Sequence, residues 1–181
     1  MDGRRSVDTS GTGRLVAERL RIRHLGQIWE MHRDPWVVTT LGGLRADEET
    51  AHYLRGDLDH RERYGYGIWV FRDRAEGRFV GRAGLRNTCV GGHDGVELPY
   101  ALVAEYWDRG PATEMSRAIL KLALDRLGLA DVVCFALPTN RASQRVMEKA
   151  GFGYERDVVY AGLPHVLCRI TATGWENRHR S

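Results

Sequence analysis

The chain has 181 residues, 43% of them hydrophobic and 28% charged, with a formal net charge of +3. That length suits one domain with a full core, and the composition excludes wholesale disorder. No apolar run approaches the roughly 18 residues of a membrane helix, and the small basic excess comes with no aromatic stripe or reading motif of a nucleic-acid binder.

Residues 1–13 carry basic side chains but lack the apolar centre of a secretory signal, and read as a mobile tail. Residues 14–175 read as a single domain and 176–181 as a C-terminal tail. Glu18–Arg23 alternates apolar and charged residues, as a first strand with one wet face does, with Arg19, Arg21 and Arg23 on that face. Leu25–Arg33 reads as a short helix that must end before Pro35, and Thr40–Gly43 as a loop. A second helix is predicted from an N-cap at Asp47 to about Arg63, with Ala51, Leu54 and Leu58 on one face.

Three antiparallel strands are then expected over Tyr66–Arg72, Phe79–Arg86 and Val96–Val103, with Val90–Gly95 as a connecting loop. A helix over Ala112–Leu127, stopped by Gly128, shows Met115, Ala118, Ile119 and Leu122 on one face. Val132–Leu137 is a continuous apolar run, hence a central strand covered on both sides. A helix over Asn140–Ala150 follows, and Phe152–Tyr160 and Val166–Thr171 close the chain as a strand pair. The order is β-α-α-β-β-β-α-β-α-β-β, an α/β fold with a mixed twisted sheet of about seven strands and helices on both faces. Cys89, Cys134 and Cys168 lie far apart, without Cys-x-x-Cys spacing, and fit buried free thiols in a reducing cytoplasm.

Two segments carry chemistry. Gly95–Glu114 reads as a strand, a tight glycine-containing loop and the first turn of a helix, which aims unpaired N–H groups and the positive dipole end at one spot, as a phosphate site requires. Pro138–Phe152 repeats the strand-end-to-helix pattern and ends on a helix-stopping glycine. Together they suggest a site for a phosphate-bearing cofactor between two strand–helix units.

The stretches Val96-Glu-Leu-Pro-Tyr-Ala-Leu102, Tyr106-Trp-Asp-Arg-Gly-Pro-Ala-Thr-Glu114, Asn140-Arg-Ala-Ser143 and Glu148-Lys-Ala-Gly-Phe152 stand in an order and spacing that resemble the GNAT acyltransferases. Within that family they are similar to the branch that acetylates ribosomal-protein N-termini and related amines. The resemblance spans roughly Arg14–Thr171 and implies acetyl-CoA as acyl donor. It places the coenzyme A pyrophosphate on Trp107–Thr113, with Asp108, Arg109, Gly110, Ala112 and Thr113 in contact, and the pantetheine arm along Leu102 and Val103. A backbone N–H of the Leu102–Val103 region would polarise the thioester carbonyl. Pro111 removes one donor from the cradle but suits a first helical turn.

Acyl transfer needs a neutral amine, a polarised carbonyl and a proton for the leaving thiolate. Glu97, between Val96 and Leu98, points away from both; it is either the base facing the cleft or a solvent-facing glutamate. No tyrosine occurs between Asn140 and Gly151, so Ser143 is the hydroxyl the resemblance assigns to the thiolate, and Asn140 would order the cofactor arm. Both also fit a plain helix start, Asn140 as its cap. Tyr100 is a second hydroxyl near the site, and Trp36 a candidate wall of the amine pocket. A cationic small acceptor would need clustered carboxylates, for which Asp47, Glu48 and Glu49 are candidates. No histidine pattern has metal-ligand spacing, so no metal is expected. The acceptor, protein N-terminus or small amine, stays open, as does a homodimer. A non-catalytic acyl-CoA sensor is the alternative function.

Overall fold

The computed structural model describes residues 11–43 and 46–179. Its strands are β1 (Leu15–Arg19), β2 (Ile68–Asp73), β3 (Phe79–Gly84), β4 (Arg86–Val90), β5 (His93–Glu97), β6 (Tyr100–Leu102), β7 (Asp131–Ala136), β8 (Gly153–Tyr160) and β9 (Leu163–Thr171). Its helices are α1 (Leu25–Arg33), α2 (Pro35–Thr40), α3 (Asp47–Tyr64), α4 (Pro111–Lys121), α5 (Arg141–Ala150) and α6 (Ala172–His179). The expected mixed α/β fold stands, with its strands divided between two sheets. One is antiparallel, in the order β1-β2-β3-β6; the other runs β4-β5-β7-β9-β8, with β5 and β7 parallel.

Strand β2 shows why the sequence folds this way. Ile68 and Val70 pack with Leu20, Ile28, Met31 and Leu54 under α1 and α3. Trp69 and Phe71 face the opposite way, into the cluster that holds Met115 and Ile119 of α4. A strand covered on both faces has no wet positions, hence the unbroken apolar run. Each such side chain contributes about 1.5–3 kcal/mol of burial, and truncating Phe71 to alanine would cost about 3–5 kcal/mol.

Several boundaries differ from expectation, each for a physical reason. The first strand starts three residues and ends four residues earlier than expected: Leu20 makes the last bond to β2, through Ile68 O, and the chain then turns as a 3₁₀ helix over Ile22–His24. Arg21 and Arg23 therefore leave the strand face, and only Arg19 lies on it. Helix α2 is additional. Asp34 Oδ1 accepts from Trp36 N at 2.8 Å and Pro35 opens the helix, so Thr40 ends a helix rather than starting a loop. Ala46, not Asp47, is the N-cap of α3.

The expected loop Val90–Gly95 is a hairpin. Gly91 and Gly92 take φ of 59° and 78°, as a two-residue primed turn demands, and pairing resumes at His93. The single strand expected over Val96–Val103 is two, β5 and β6, broken at Leu98–Pro99. After α4 the winding widens to a π-type turn over Leu122–Arg126, where Trp175 Nε1 donates to Asp125 Oδ1 at 2.8 Å. Trp175 belongs to α6, so residues 176–179, read as tail, are the end of a docked helix. Thr12, read as tail, bonds Leu15 and Glu114; residues 1–10 lie outside the described residues. Cys134 and Cys168 are buried, but Cys89 sits on the exposed hairpin. Among the described residues no helix is long and apolar enough to cross a membrane.

Candidate active site

Strands β5 and β6 are one chain segment that changes sheets, and the change opens a cleft. Leu98 N still bonds Val133 O at 2.8 Å, beside β7, whereas Pro99 O already accepts from Gly84 N at 3.2 Å, beside β3. Proline has no N–H to leave unpaired at the crossing. Val103 N next bonds Val80 O at 3.1 Å. In an antiparallel pair, alternate residues bond across the ladder, so positions 99, 101 and 103 face β3 and positions 100 and 102 face outward. The outward backbone donors of β6 are therefore those of Tyr100 and Leu102, with Leu102 the one next to the loop that leads to α4. Val103 N–H, expected to share this role, is spent on β3. Trp107 Nε1 donates to Leu102 O at 3.2 Å, which fixes the strand edge to the following loop.

That loop leads into α4. Asp108 and Gly110 take positive φ, 57° and 93°, and Pro111 is the first helical residue. No side chain caps this helix end. The first-turn N–H groups of Ala112 and Thr113 are thus free to meet an anion, with the helix dipole behind them. Gly110, Ala112, Thr113 and Asp108 line the cleft; Arg109 and Val103 do not. The Arg109 carbonyl instead accepts from Arg14 Nη1 at 3.1 Å. Arg14 also holds Glu114, at 2.7 Å, so the segment before β1 straps the outer side of the helix start.

The cleft has a volume of about 590 Å³ and reaches Glu97 at its other end. Val96 and Leu98 pack into the main core, which turns Glu97 to the opposite side. Glu97 is 8% exposed, and its Oε2 has no hydrogen-bond partner. Loss of water pushes its pKa up to about 7, against the lowering pull of the Arg86 and Arg82 charges. Beside it, the Tyr53 ring from α3 lies between two guanidinium groups, 4.8 Å from that of Arg82 and 4.3 Å from that of Arg86. Arg86 is satisfied by Asp57, at 2.7 Å, and by the Tyr53 hydroxyl. Arg82 is only 3% exposed, and its Nε and Nη1 have no partner.

On the α5 side, Asn140 Oδ1 accepts from Ser143 N at 3.0 Å, so the amide oxygen of Asn140 is the helix cap. The Ser143 hydroxyl takes no part in that cap. It lies 2.6 Å from Tyr100 Oη, and both residues line the cleft. Burial, with the neighbouring Cys134 thiol, raises the Tyr100 pKa above the usual phenol range, against the Ser143 bond. Trp36 is 71% exposed and lies outside the cleft. Asp47 pairs with Arg33, and Glu49 Oε2 accepts from Ala46 N, so these carboxylates serve α3. With Glu48, they do not line the cleft.

Arg82, Arg86 and Tyr53 are the cleft residues that sequence reasoning missed. Two signals pointed to the arginines, a charged residue inside the otherwise small and apolar Val80–Leu85 and its repetition four residues later across Gly84, and none to Tyr53. A mixed wall of Phe135, Tyr160 and His165, with ring centroids 4.6–6.0 Å apart, also faces the cleft and comes from strands distant in sequence.

The family model described as an acetyltransferase (GNAT) domain matches residues 14–153. An uncharacterized protein of Bacillus subtilis, YkkB, is 26% identical over 151 residues, covering 80% of this chain and 88% of its own. A solved GNAT-family acetyltransferase from Bordetella pertussis superposes with a TM-score of 0.75 at 25% identity, over 87% of this chain and 96% of its own. A structure of the aminoglycoside acetyltransferase AAC(6')-Ib with paromomycin and acetyl-CoA has a TM-score of 0.75 over 93% of this chain and 98% of its own. At 20% identity, that likeness shows a common fold.

Proposed function

We propose that this chain, which belongs to the GNAT acetyltransferase family, moves an acetyl group from acetyl-CoA directly to a primary amine held in the same cleft. The observation that carries this reading is the convergence in one cleft of an uncapped helix start, an open strand-edge N–H and a buried carboxylate. The residues suit the donor. Ala112 and Thr113 N–H would take the pyrophosphate, and Leu102 N–H the thioester carbonyl, as its developing negative charge requires.

The amine must arrive neutral. Glu97, with a pKa of about 7, is ionised enough near neutrality to accept its proton and basic enough to hold it. A C–N bond then forms and the C–S bond breaks, leaving a thiolate. The new amide nitrogen then holds one proton too many, and the paired hydroxyls of Tyr100 and Ser143 can relay it to the sulfur, each gaining a proton as it gives one, so that neither is left ionised. The acceptor is a protein N-terminus, as in the branch the sequence motifs resemble, or a small amine.

Coenzyme A release from acetyl-CoA, followed across peptide N-termini, aminoglycosides, polyamines and amino acids, tests the reading. Release that depends on an amine supports it. Coenzyme A binding without release on any amine would contradict it.

A further inference from the structure

We infer that the acceptor is a zwitterion, a small amine bearing a carboxylate such as a free α-amino acid, whose carboxylate is taken by Arg82. The inference rests on the acyltransfer reading and deepens it by naming the acceptor class. The end of the cleft away from α4 contains two buried charged side chains of opposite sign that lack full partners. Glu97 Oε2 is unsatisfied, and so are Nε and Nη1 of Arg82. Both residues line the cleft, and they lie near enough for the Arg82 charge to act on Glu97.

Orphaned donors on a buried guanidinium are costly, since nothing replaces the lost water. Arg82 gains an attraction to the Tyr53 ring, but a ring face accepts no in-plane N–H. Arg86, four residues on, shows what a satisfied guanidinium looks like here: it has Asp57 and the Tyr53 hydroxyl. The guanidinium of Arg82 lacks such an acceptor, and a carboxylate is the group that fits it in two bonds, along the Nε–Nη2 side or across Nη1 and Nη2. An ammonium on Glu97 and a carboxylate on Arg82 would give Glu97 Oε2 and one of the two Arg82 donors a partner at once.

The same charges disfavour the other acceptor classes. A polycation would meet two arginines at this end, and Asp47, Glu48 and Glu49 are not there to receive it. A peptide N-terminus offers the ammonium but no adjacent carboxylate.

The test is acetylation of the twenty amino acids and, for each one accepted, of its amide and its decarboxylated amine. Rates for the acid, amide and amine are compared at one pH and again a unit higher, because losing the Arg82 charge raises the Glu97 pKa, beside the peptide, polyamine and aminoglycoside acceptors. The expected result is a kcat/KM at least tenfold higher for the acid than for the amide or the amine. In Arg82→Met that ratio should collapse toward one. Should Arg82→Met fail to fold, Arg82→Lys keeps the charge without the fork, and the ratio should fall part of the way. Transfer to polyamines, aminoglycosides or peptides but to no free amino acid would overturn the inference and leave the acyltransfer reading intact. So would a ratio unchanged in both variants. Absence of transfer to every amine, with coenzyme A binding seen by calorimetry, would end both.

Discussion

The Tyr100 hydroxyl lies 2.6 Å from Ser143 Oγ, joining the first strand residue after the sheet change to the first turn of α5. Neither hydroxyl alone is a good acid: a serine is intrinsically weak, and burial holds Tyr100 above its ordinary range. As a pair they can relay the surplus proton of the attacking nitrogen to the leaving sulfur without either being left ionised. Ser143→Ala should lower kcat about 10- to 100-fold, and Tyr100→Phe by a smaller factor. If the two act as a unit, the double variant should lose no more than Ser143→Ala. Multiplied losses in single-turnover rates would show that the hydroxyls act separately.

Glu97 sets the acid limb of the pH profile. Below about pH 7 the carboxyl holds its proton and cannot take one from the amine. The kcat/KM should therefore rise tenfold per pH unit below 7 and bend near 7. Glu97→Gln should remove that bend and lower kcat/KM about 10²- to 10⁴-fold.

The same shift has a stability sign. The pKa is raised in the fold from an ordinary 4.5 to about 7, so between those values the folded chain holds a proton the unfolded chain has lost. Stability falls as pH rises through that window. Glu97→Gln should thus gain on the parent by about 3 kcal/mol at pH 8 and by almost nothing at pH 4. Denaturant melts at the two pH values read this directly; an equal effect at both would place the Glu97 pKa near its ordinary value.

Gly110 tests the phosphate cradle. Its φ of 93° is one that L side chains rarely adopt, and an added Cβ would lie 3.2 Å from Arg14 Nη2. Gly110→Ala should cost about 1–2 kcal/mol of stability and weaken coenzyme A binding severalfold, with a smaller change in kcat at saturating donor. Calorimetry with coenzyme A measures the first effect free of the chemistry.

Trp107→Phe removes the indole N–H that anchors Leu102 O while keeping an aromatic ring. A hydrogen bond of this kind contributes about 1 kcal/mol. The expected result is a severalfold rise in KM for acetyl-CoA with a fall in melting temperature of about 2–4 °C. A pure loss of stability would mean that Trp107 only packs.

Where local chemistry decides the structure, the sequence was readable. Pro35 and Gly128 end helices where they stand, Val132–Leu137 is a central strand, and the glycine-proline step at 110–111 opens α4. What failed was governed by pairing at a distance. The Leu98–Pro99 break depends on β7 and β3 competing for one segment, and that competition also assigns the open donor to Leu102 rather than Val103. Arg82 could be seen as an odd charge in an apolar strand. That its donors are orphaned required the positions of Tyr53, Asp57 and Arg86. Trp36 looked like a wall of the amine pocket because it follows Asp34-Pro35 near the acceptor-side loop of the family the motifs resemble, yet it stands exposed in the first turn of the Asp34-capped α2.

The most direct measurement is coenzyme A release from acetyl-CoA with and without amine, for the parent chain and Glu97→Gln side by side, with coenzyme A binding checked in both. The account predicts amine-dependent release by the parent, a loss of at least a hundredfold at pH 7.5 in the variant, and equal coenzyme A affinity. Equal release by both would remove Glu97 from the chemistry. Tight binding with no release by either would mark the chain as a coenzyme A binder that performs no transfer.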